Sequence, residues 1–250
     1  MTPPAADRDY WEDRARRYGP RAAGYSDTAM DDYEDRLRRS AIERLVGAGR
    51  GRHLLDAGCG SGRWSVRMAA AGWVVTGADI SESLIALAPP APNVTYINGA
   101  IEALDLTAAS FDAILSVTVL QHITHDRNFD AALDNLARML RPGGLIAVLE
   151  YAPLRVLRQM PAYMKARSRG EWIKAFASRG FKRRSETGIR FVGHVPYMLT
   201  VRLARLLGRT DAQLIPLRAV CRAIDLALAR VPGFTLAADV QLITFEKANR

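Results

Sequence analysis

Closely spaced glycines follow an apolar run and could form a ligand-binding turn. Gly58, Gly60 and Gly62 come directly after Asp56-Ala57, and a helical pattern begins behind them. Glycines in such a turn let the backbone approach a ligand closely and take a positive φ, and the first amides of the following helix can face an anionic group. A tight turn without a ligand uses the same residues, but the position between a strand and a helix favours a binding site.

The spacing of these glycines distinguishes between kinds of ligand. The dinucleotide fingerprint G-x-G-x-x-G would need a third glycine at position 63, which is Arg63, so an NAD-dependent dehydrogenase is disfavoured. Asp79 lies 23 residues beyond Asp56, at the end of the next apolar run. A carboxylate there can accept hydrogen bonds from both hydroxyls of a ribose, although a surface or capping aspartate is the alternative. Together these features predict a nucleoside-containing ligand at the carboxyl edge of a sheet.

Short apolar runs alternate with helical patterns along the middle of the chain. The predicted strands are 53–57, 73–78, 94–98, 111–117 and 145–151, and the helices between them are 61–71, 81–88 and 126–140. Continuously apolar strands that alternate with helices imply a parallel sheet covered on both faces. Helix 31–46 precedes this region. After it we predict helix 171–178, strand 182–191, helical segment 195–231 and strand 235–247.

These patterns predict one α/β domain over residues 1–250. We expect a Rossmann-like, mostly parallel seven-stranded sheet with an antiparallel edge strand, helices on both faces and a helical insertion before the last strand. Within the domain, residues 1–50 form a helical cap, 51–151 the ligand-binding core, and 152–250 a second half that carries the insertion 194–232. The insertion would be a lid that shapes the substrate pocket, or else a solvated helical pair.

The net charge of +9 is unevenly distributed, because residues 1–150 balance at −4 and residues 151–250 at +13. Such asymmetry fits contact with nucleic acid, an anionic membrane surface or an acidic substrate. A solvated surface is the simpler interpretation, since 31 arginines stand against four lysines. Two distant cysteines exclude a disulfide framework and a zinc finger. Without a signal-like or membrane-spanning apolar run, we expect a soluble, cytoplasmic protein that needs no metal.

Five segments, in order, resemble the class I S-adenosylmethionine (SAM)-dependent methyltransferases, in particular the type 11 and ubiquinone/menaquinone-type small-molecule enzymes. The segments are LLDAGCGSGRW, VVTGADIS, NGAIEAL, FDAILSVTVLQHI and LRPGGLIAVLEY. The resemblance covers about residues 50–151 and implies SAM as cofactor and S-adenosylhomocysteine (SAH) as product. One departure is Gly99-Ala100-Ile101, where the family often has Gly-Asp-Ala and the aspartate meets the adenine amine.

The resemblance also assigns cofactor-binding roles to matching positions. They are Asp56, Gly58 and Gly60 for the methionine part, Arg63 for its carboxylate, Asp79 for the ribose, Ile80, Ile101 and Glu102 for the adenine, and Val117 and Thr118 near the sulfonium. An arginine can pair with that carboxylate through two parallel hydrogen bonds.

Two residues near the expected site could act on the acceptor. His122 follows the fourth strand, and an imidazole with an ordinary pKa of about 6.5 can accept a proton near neutrality. It also matches a substrate-contacting histidine of some α-N-terminal protein methyltransferases, although it could simply hold its loop. Glu150, at the end of the fifth strand, could orient an amine or hydroxyl. The expected substrate-binding residues are Tyr18, Tyr25, Gln121, Tyr151, His194 and Tyr197.

The function that we predict is transfer of a methyl group from SAM to an oxygen, nitrogen or carbon nucleophile of a small molecule, in secondary or cofactor metabolism. A nucleic-acid or peptide methyltransferase is an alternative suggested by the basic second half. Against nucleic acid, the residues after strand four read Ser116-Val117-Thr118-Val119 and contain no Asn-Pro-Pro-Tyr-type motif. A SAM-binding protein that transfers no methyl group is a further alternative. The basic insertion leaves peripheral membrane contact open.

Overall fold

The structure is a computed structural model that describes residues 5–22, 28–157, 159–190 and 238–249, and also positions 206, 208, 220, 223, 224, 227 and 231. The helices are α1 Ala5–Tyr18, α2 Thr28–Val46, α3 Arg63–Ala70, α4 Glu82–Ala86, α5 Asp126–Met139 and α6 Arg169–Ala177. The strands are β1 His53–Ala57, β2 Val74–Asp79, β3 Val94–Asn98, β4 Phe111–Val117, β5 Leu140–Tyr151, β6 Phe181–Arg190 and β7 Val240–Lys247. Most of the predicted insertion 194–232 lies outside the described residues.

The strands form a seven-stranded sheet in the order β3-β2-β1-β4-β5-β7-β6. The first five are parallel to their neighbours, whereas β7 pairs antiparallel with both β5 and β6. The predicted mostly parallel sheet with an antiparallel edge is therefore confirmed. The late pair forms that edge, with β7 next to β5 and β6 outermost. The chain order changes direction at β1, which leaves a crevice at the carboxyl ends of β1 and β4.

Apolar side chains cover both faces of the sheet. On one face, Ile42 of α2 and Met68 of α3 pack on strand residues such as Leu54. On the other face, side chains from α5 and α6, among them Leu133 and Trp172, form a second cluster. Each fully buried side chain of this size contributes about 1.5–3 kcal/mol relative to exposure. These two layers hold the carboxyl ends of the strands in a fixed arrangement.

Helix α1 lies in the predicted helical cap, residues 1–50, for which the sequence analysis gave bounds only for helix 31–46. Among the side chains at positions 8–18, for which burial is described, only Ala15 is buried, and Trp11 packs beside it against Leu84 of α4. A helix with so narrow an apolar stripe gives a weak periodic signal, because tertiary contacts rather than amphipathicity hold it in place. The structure therefore adds a helix to the predicted cap.

The end of α5 also differs from the prediction. We expected a helix to residue 140 and a strand from residue 145, separated by Arg141-Pro142-Gly143-Gly144. Instead α5 ends at Met139 and β5 begins at Leu140, which pairs with Phe111 before the register shifts. Gly143 has a φ of +70°, so the segment bends within the strand rather than forming a separate turn. Within the described parts of the chain, no helix has the length and apolarity needed to cross a membrane.

Candidate functional site

A cleft opens at the carboxyl edge of the sheet, beside the ends of β1, β2 and β4. Eight of the predicted site residues line it: Gly58, Asp79, Ile80, Ile101, Glu102, Val117, Thr118 and His122. Six further lining residues were not among the predicted site residues: Trp11, Leu84, Gly99, Ala100, Val119 and Ile123. The topology thus gathers residues from five separate segments, as ligand sites at such sheet edges require.

The glycine turn after β1 fits closely against the loop that follows β4. Gly58 has a φ of +80°, and a Cβ added to it would lie 2.3 Å from Cγ2 of Val119. The amides of Gly58 and Cys59 both donate to the carbonyl of Ala78, at 2.7 and 3.0 Å, and so tie the turn to β2. Only glycine combines this φ with this approach, which leaves bare backbone at the wall of the cleft.

Asp79 joins the glycine turn to the tip of β2. Its Oδ2 accepts from the Gly60 amide at 2.8 Å, and its Oδ1 accepts from the Ser81 amide at 2.9 Å. Burial raises the pKa of Asp79 to about 6, against the opposing effect of these amide donors. A carboxylate has about four acceptor positions, and the amides of Gly60, Ser81 and Ile80 do not fill all of them. Asp79, which lines the cleft, can therefore also accept a hydrogen bond from a ligand hydroxyl.

Asp56 lies beneath the turn rather than at the wall of the cleft. It is 1% exposed, and its Oδ2 accepts from the hydroxyl of Ser65 at 2.6 Å. Burial raises the pKa of Asp56 to about 7. The structure thus places this carboxyl between β1 and α3, where it supports the start of the helix, and the predicted contact with the cofactor's methionine part stays a prediction.

Arg63 is held by acidic residues of α2. Its Nη2 lies 2.7 Å from Oδ2 of Asp31, and its Nη1 lies 3.4 Å from Oδ1 of Asp35. Arg67 pairs with the same Asp35 at 2.7 Å. The arginine is not among the lining residues of the cleft. Its predicted role toward the cofactor's carboxylate would require an exchange of ion-pair partners.

The wall of the cleft that the sequence predicts for the adenine is built on a short 3-10 turn, Ile101–Ala103. The side-chain amide of Asn135, on α5, donates to the carbonyls of Ile101 and Leu104, both at 2.8 Å, and anchors the turn. Ala100 lines the cleft where the related pattern often has an aspartate. This wall therefore offers apolar contact from Ile80 and Ile101, and Glu102 as its acidic group.

The loop after β4 carries the predicted acceptor-side residues. Thr118, its first residue, has a φ of +55°, which is uncommon for a residue other than glycine and costs about 1–3 kcal/mol. A 3-10 turn, Leu120–His122, follows. Strained backbone of this kind persists only where surrounding contacts hold it, and it is concentrated at ligand sites.

The position of Glu150 differs from the sequence interpretation, which has it orient an acceptor. Its carboxylate accepts from the amides of Val119 and Leu120 at 3.1 and 3.0 Å, and from the amide of Gln121 at 3.3 Å. It is 1% exposed and is not among the residues that line the cleft. Burial raises the pKa of Glu150 to about 8, while the three amides and the charge of Arg167 act in the opposite direction. Glu150 thus faces the backbone of the loop.

The hydrogen-bond partners of His122 define its tautomer. Nδ1 lies 2.9 Å from the carbonyl oxygen of Tyr163, which can only accept, so Nδ1 carries the proton. Nε2 lies 3.3 Å from the amide nitrogen of Gln121, whose Oε1 accepts from the Tyr151 amide at 2.9 Å. Nε2 is therefore the accepting atom of a neutral imidazole. Burial lowers the pKa of His122 to about 4, assisted by the charge of Arg14 on α1.

Aromatic residues surround His122 on the open side of the cleft. The ring of Trp11 meets the imidazole edge-to-face at 5.0 Å, and the ring of Tyr163 lies parallel to it at 5.8 Å. Tyr10 stacks on Tyr163 at 4.9 Å and so joins α1 to the segment before α6. The sequence analysis did not predict Tyr163 as a site residue, because no local pattern places residue 163 beside residue 122.

The remaining predicted substrate residues have varied positions. Tyr18 is 39% exposed, with the Arg14 guanidinium 5.0 Å from its ring centre, and does not line the cleft. Gln121, within the Leu120–His122 turn, and Tyr151, at the end of β5, are both buried and are not among the lining residues of the cleft. Tyr25, His194 and Tyr197 lie outside the described residues. Within the described residues, no three His, Cys, Asp or Glu side chains form a group that could hold a metal ion.

Comparison with known proteins identifies the central part of the chain. Residues 54–144 match a family model described as a methyltransferase domain. O-methyltransferase resE from Aspergillus sclerotiorum is 32% identical over 149 residues, which cover 56% of this chain and 51% of the relative. Ubiquinone biosynthesis O-methyltransferase from Coxiella burnetii is 37% identical over 113 residues, which cover 43% of this chain and 47% of the relative. The chain thus spans about half the length of these curated relatives.

The fold extends the comparison over the whole chain. The crystal structure of the [4+2]-cyclase SpnF has a TM-score of 0.70 and 18% identity, covering 100% of this chain and 98% of that one. At this identity the likeness concerns the fold. The strand order and the position of the cleft are those expected for a Rossmann-like methyltransferase core, and the sequence match over residues 54–144 lies in the same part of the chain. Residues 54–144 therefore match a methyltransferase domain, and the predicted resemblance of this segment to class I SAM-dependent methyltransferases is confirmed.

Proposed function

We propose that the protein is an enzyme that transfers the methyl group of SAM to a hydroxyl oxygen of a small molecule. The observation that carries the proposal is the joining of Asp79 to the glycine turn at the wall of the cleft, within a matched methyltransferase domain. The choice of oxygen rests on the names of the two curated relatives, both O-methyltransferases. The name of the second relative supports small-molecule biosynthesis as the setting.

The residues at the cleft suit SAM. Asp79 lines the cleft and can accept a hydrogen bond from the ribose, and Gly58 presents bare backbone to the methionine part. Ile80 and Ile101 offer apolar surfaces to the adenine. Trp11 presents an aromatic group that attracts a cation. When bound, SAM supplies a methyl group already activated by the sulfonium, so the protein needs to align the acceptor and exclude water.

The acceptor side is built around His122. Its Nε2 is an accepting atom, and its 3.3 Å contact with the Gln121 amide is long for a hydrogen bond. A hydroxyl donor can replace that contact and be oriented by Nε2. Trp11 and Ile123, which also line the cleft, would pack against the body of the acceptor.

We also propose residues 1–50 as the cap, 51–151 as the SAM-binding core, and the insertion 194–232 in the second half, 152–250, as a lid over the substrate.

Two measurements test the function. Isothermal titration calorimetry with SAM and SAH comes first, and we expect both to bind. Incubation with methyl-labelled SAM and a panel of phenols, catechols, carboxylates, amines and RNA follows, and we expect labelled methyl ethers from one or more hydroxylated compounds. Binding without any methylated product would favour a SAM-binding protein of another activity, and labelled RNA would favour the nucleic-acid alternative. No heat with either SAM or SAH would contradict the proposal.

A further inference from the structure

The loop between β4 and α5 presents its residues to the cleft, yet its own backbone is held from beneath. Thr118, Val119, His122 and Ile123 all line the cleft. The amides at the start of the Leu120–His122 turn are satisfied by the Glu150 carboxylate. The carbonyl groups of the same turn need donors, since buried backbone oxygens without partners are costly.

Arg167 supplies two side-chain donors to this loop, beside the amide of Lys165, which donates to the Gln121 carbonyl at 2.8 Å, and the amide of Ile123, which donates to the Leu120 carbonyl at 3.2 Å. It lies in the segment between β5 and α6, and only 5% of its surface is exposed. Its Nη2 donates to the Ile123 carbonyl at 3.1 Å, and its Nη1 donates to the Leu120 carbonyl at 3.5 Å. The guanidinium thus bonds to the backbone on both sides of His122.

Aromatic rings fix the guanidinium in this orientation. Its central carbon lies 3.6 Å from the ring centre of Phe129 on α5 and 5.6 Å from that of Trp172 on α6. The nearest carboxylate bridge, to Asp126, is 3.7 Å long and its partner is largely exposed. A planar, rigid fork with five donors suits this double contact with carbonyl groups, whereas a lysine ammonium would provide only a point charge.

We propose that Arg167 is a positioning residue for methyl transfer, which acts with Glu150 to hold the backbone of the His122 loop by hydrogen bonds to its amides and carbonyls. This inference rests on the proposed function. Both Glu150 and Arg167 lie beyond residue 144, where the match to the family model ends. Glu150 accepts hydrogen bonds from amides at the start of the turn, and Arg167 donates to the carbonyls of Leu120 and Ile123. Neither side chain touches the cleft, so both act through the loop.

A matched pair of variants separates positioning from general stability. Arg167→Gln removes the charge and the fork, while Arg179→Gln removes an arginine at the end of α6 whose carboxylate partners are Asp130 and Asp134 of α5. We expect Arg167→Gln to lower kcat at least tenfold with the Kd for SAM within threefold of the original. Arg179→Gln should change kcat less than twofold. Arg167→Lys, which keeps the charge, should restore part of the lost kcat.

Nuclear magnetic resonance of the imidazole gives a readout that does not need the acceptor. In the original protein we expect His122 to be neutral and protonated at Nδ1 at pH 7, assigned by comparison with His122→Asn. In Arg167→Gln the loop should loosen, and the pKa of His122 should move upward toward 6.5. The charged groups around this loop are Arg14 from α1 and Arg167 itself, and Glu150 from β5 is a titratable group beside it. The Arg179→Gln spectrum is therefore the control for changes in distant charge.

The outcomes distinguish this inference from the proposed function. The inference about Arg167 would be overturned if Arg167→Gln kept the His122 signals and the kcat of the original protein. It would also be overturned if Arg179→Gln lost as much kcat as Arg167→Gln. If Arg167→Gln does not fold, Arg167→Lys takes its place, and unchanged kcat and His122 signals there overturn the inference equally. If the original protein binds SAM but methylates nothing, the proposed function fails, while the His122 spectra still test the hold of Arg167 on the loop.

Discussion

The amide of Gly60 donates to the carboxylate of Asp79 at 2.8 Å, so the glycine turn after β1 and the acidic tip of β2 form one unit. The two residues lie 19 positions apart in the chain, Gly60 in the turn after β1 and Asp79 at the end of the neighbouring strand β2. This bond directs the carboxylate along the wall of the cleft. Loss of the carboxylate would therefore affect both ligand contact and the shape of the turn.

Replacing Asp79 with alanine should weaken SAM binding by about 1–3 kcal/mol, the scale of hydrogen bonds to a charged group. Calorimetry measures the change directly. Asp112→Asn is the matched control, because Asp112 accepts from the His53 amide and from Arg141 at the opposite end of the sheet. Equal SAM affinities in the original protein and in Asp79→Ala would refute the ribose assignment.

Replacing Gly58 with alanine should reduce SAM binding and stability together. The new Cβ would lie 2.3 Å from Val119, and the φ of +80° adds strain of about 1–3 kcal/mol. Denaturant unfolding and calorimetry provide the two measurements. Gly170→Ala is the control, since nothing lies within 4 Å of its added Cβ. A Gly58→Ala protein as stable as the control would contradict the close approach that we describe.

His122→Ala should lower kcat about 10- to 100-fold, near the lower range for loss of a group that handles a proton, while SAM affinity stays within about threefold. Because the pKa of His122 is lowered to about 4, its imidazole is already neutral at pH 6. Activity should therefore show no acidic limb from this residue between pH 6 and 8, and should decline only as the pH falls toward 4. A limb near pH 6.5 that disappears in His122→Asn would show that the imidazole titrates normally.

Stability should fall as the pH rises from 6.5 to 8. Burial raises the pKa of Glu150 to about 8 and that of Asp56 to about 7. The unfolded carboxyls ionise near pH 4, so in this window the folded protein binds more protons than the unfolded chain, and a higher pH favours unfolding. His122 has the opposite effect, because its pKa is lowered, but only between about pH 4 and 6.5.

Urea unfolding at pH 6.5 and pH 8 measures this difference. Glu150→Gln cannot titrate, so its free energy of unfolding should decline less across the same interval than that of the original protein. Asp134→Asn, a change on the exposed side of α5, should preserve the original decline. An identical pH dependence in Glu150→Gln would mean that Glu150 titrates outside this window.

Local patterns were enough for much of the sheet. Strands 53–57, 94–98 and 111–117 were predicted with the bounds that the structure has. The first and the third are buried apolar runs, whereas 94–98 is a half-buried edge strand that contains β-branched and aromatic residues. The Ser81 cap of α4 was also readable, and its hydroxyl accepts from the Leu84 amide at 3.1 Å. Local patterns did not predict helix α1, because its packing depends on partners that are distant in the chain.

The sequence by itself determined the glycine turn, the acidic tip of β2 and the parallel core, because each is a property of consecutive residues. Only the tertiary structure decided that Glu150 faces a loop backbone, that Arg63 pairs with α2, and that Tyr163 and Arg167 lie beside His122. These contacts join residues about 30 to 45 positions apart, and no periodicity records which side chains meet when strands and helices pack. Burial and hydrogen-bond direction, which assign each polar group its role, exist only once the chain is folded.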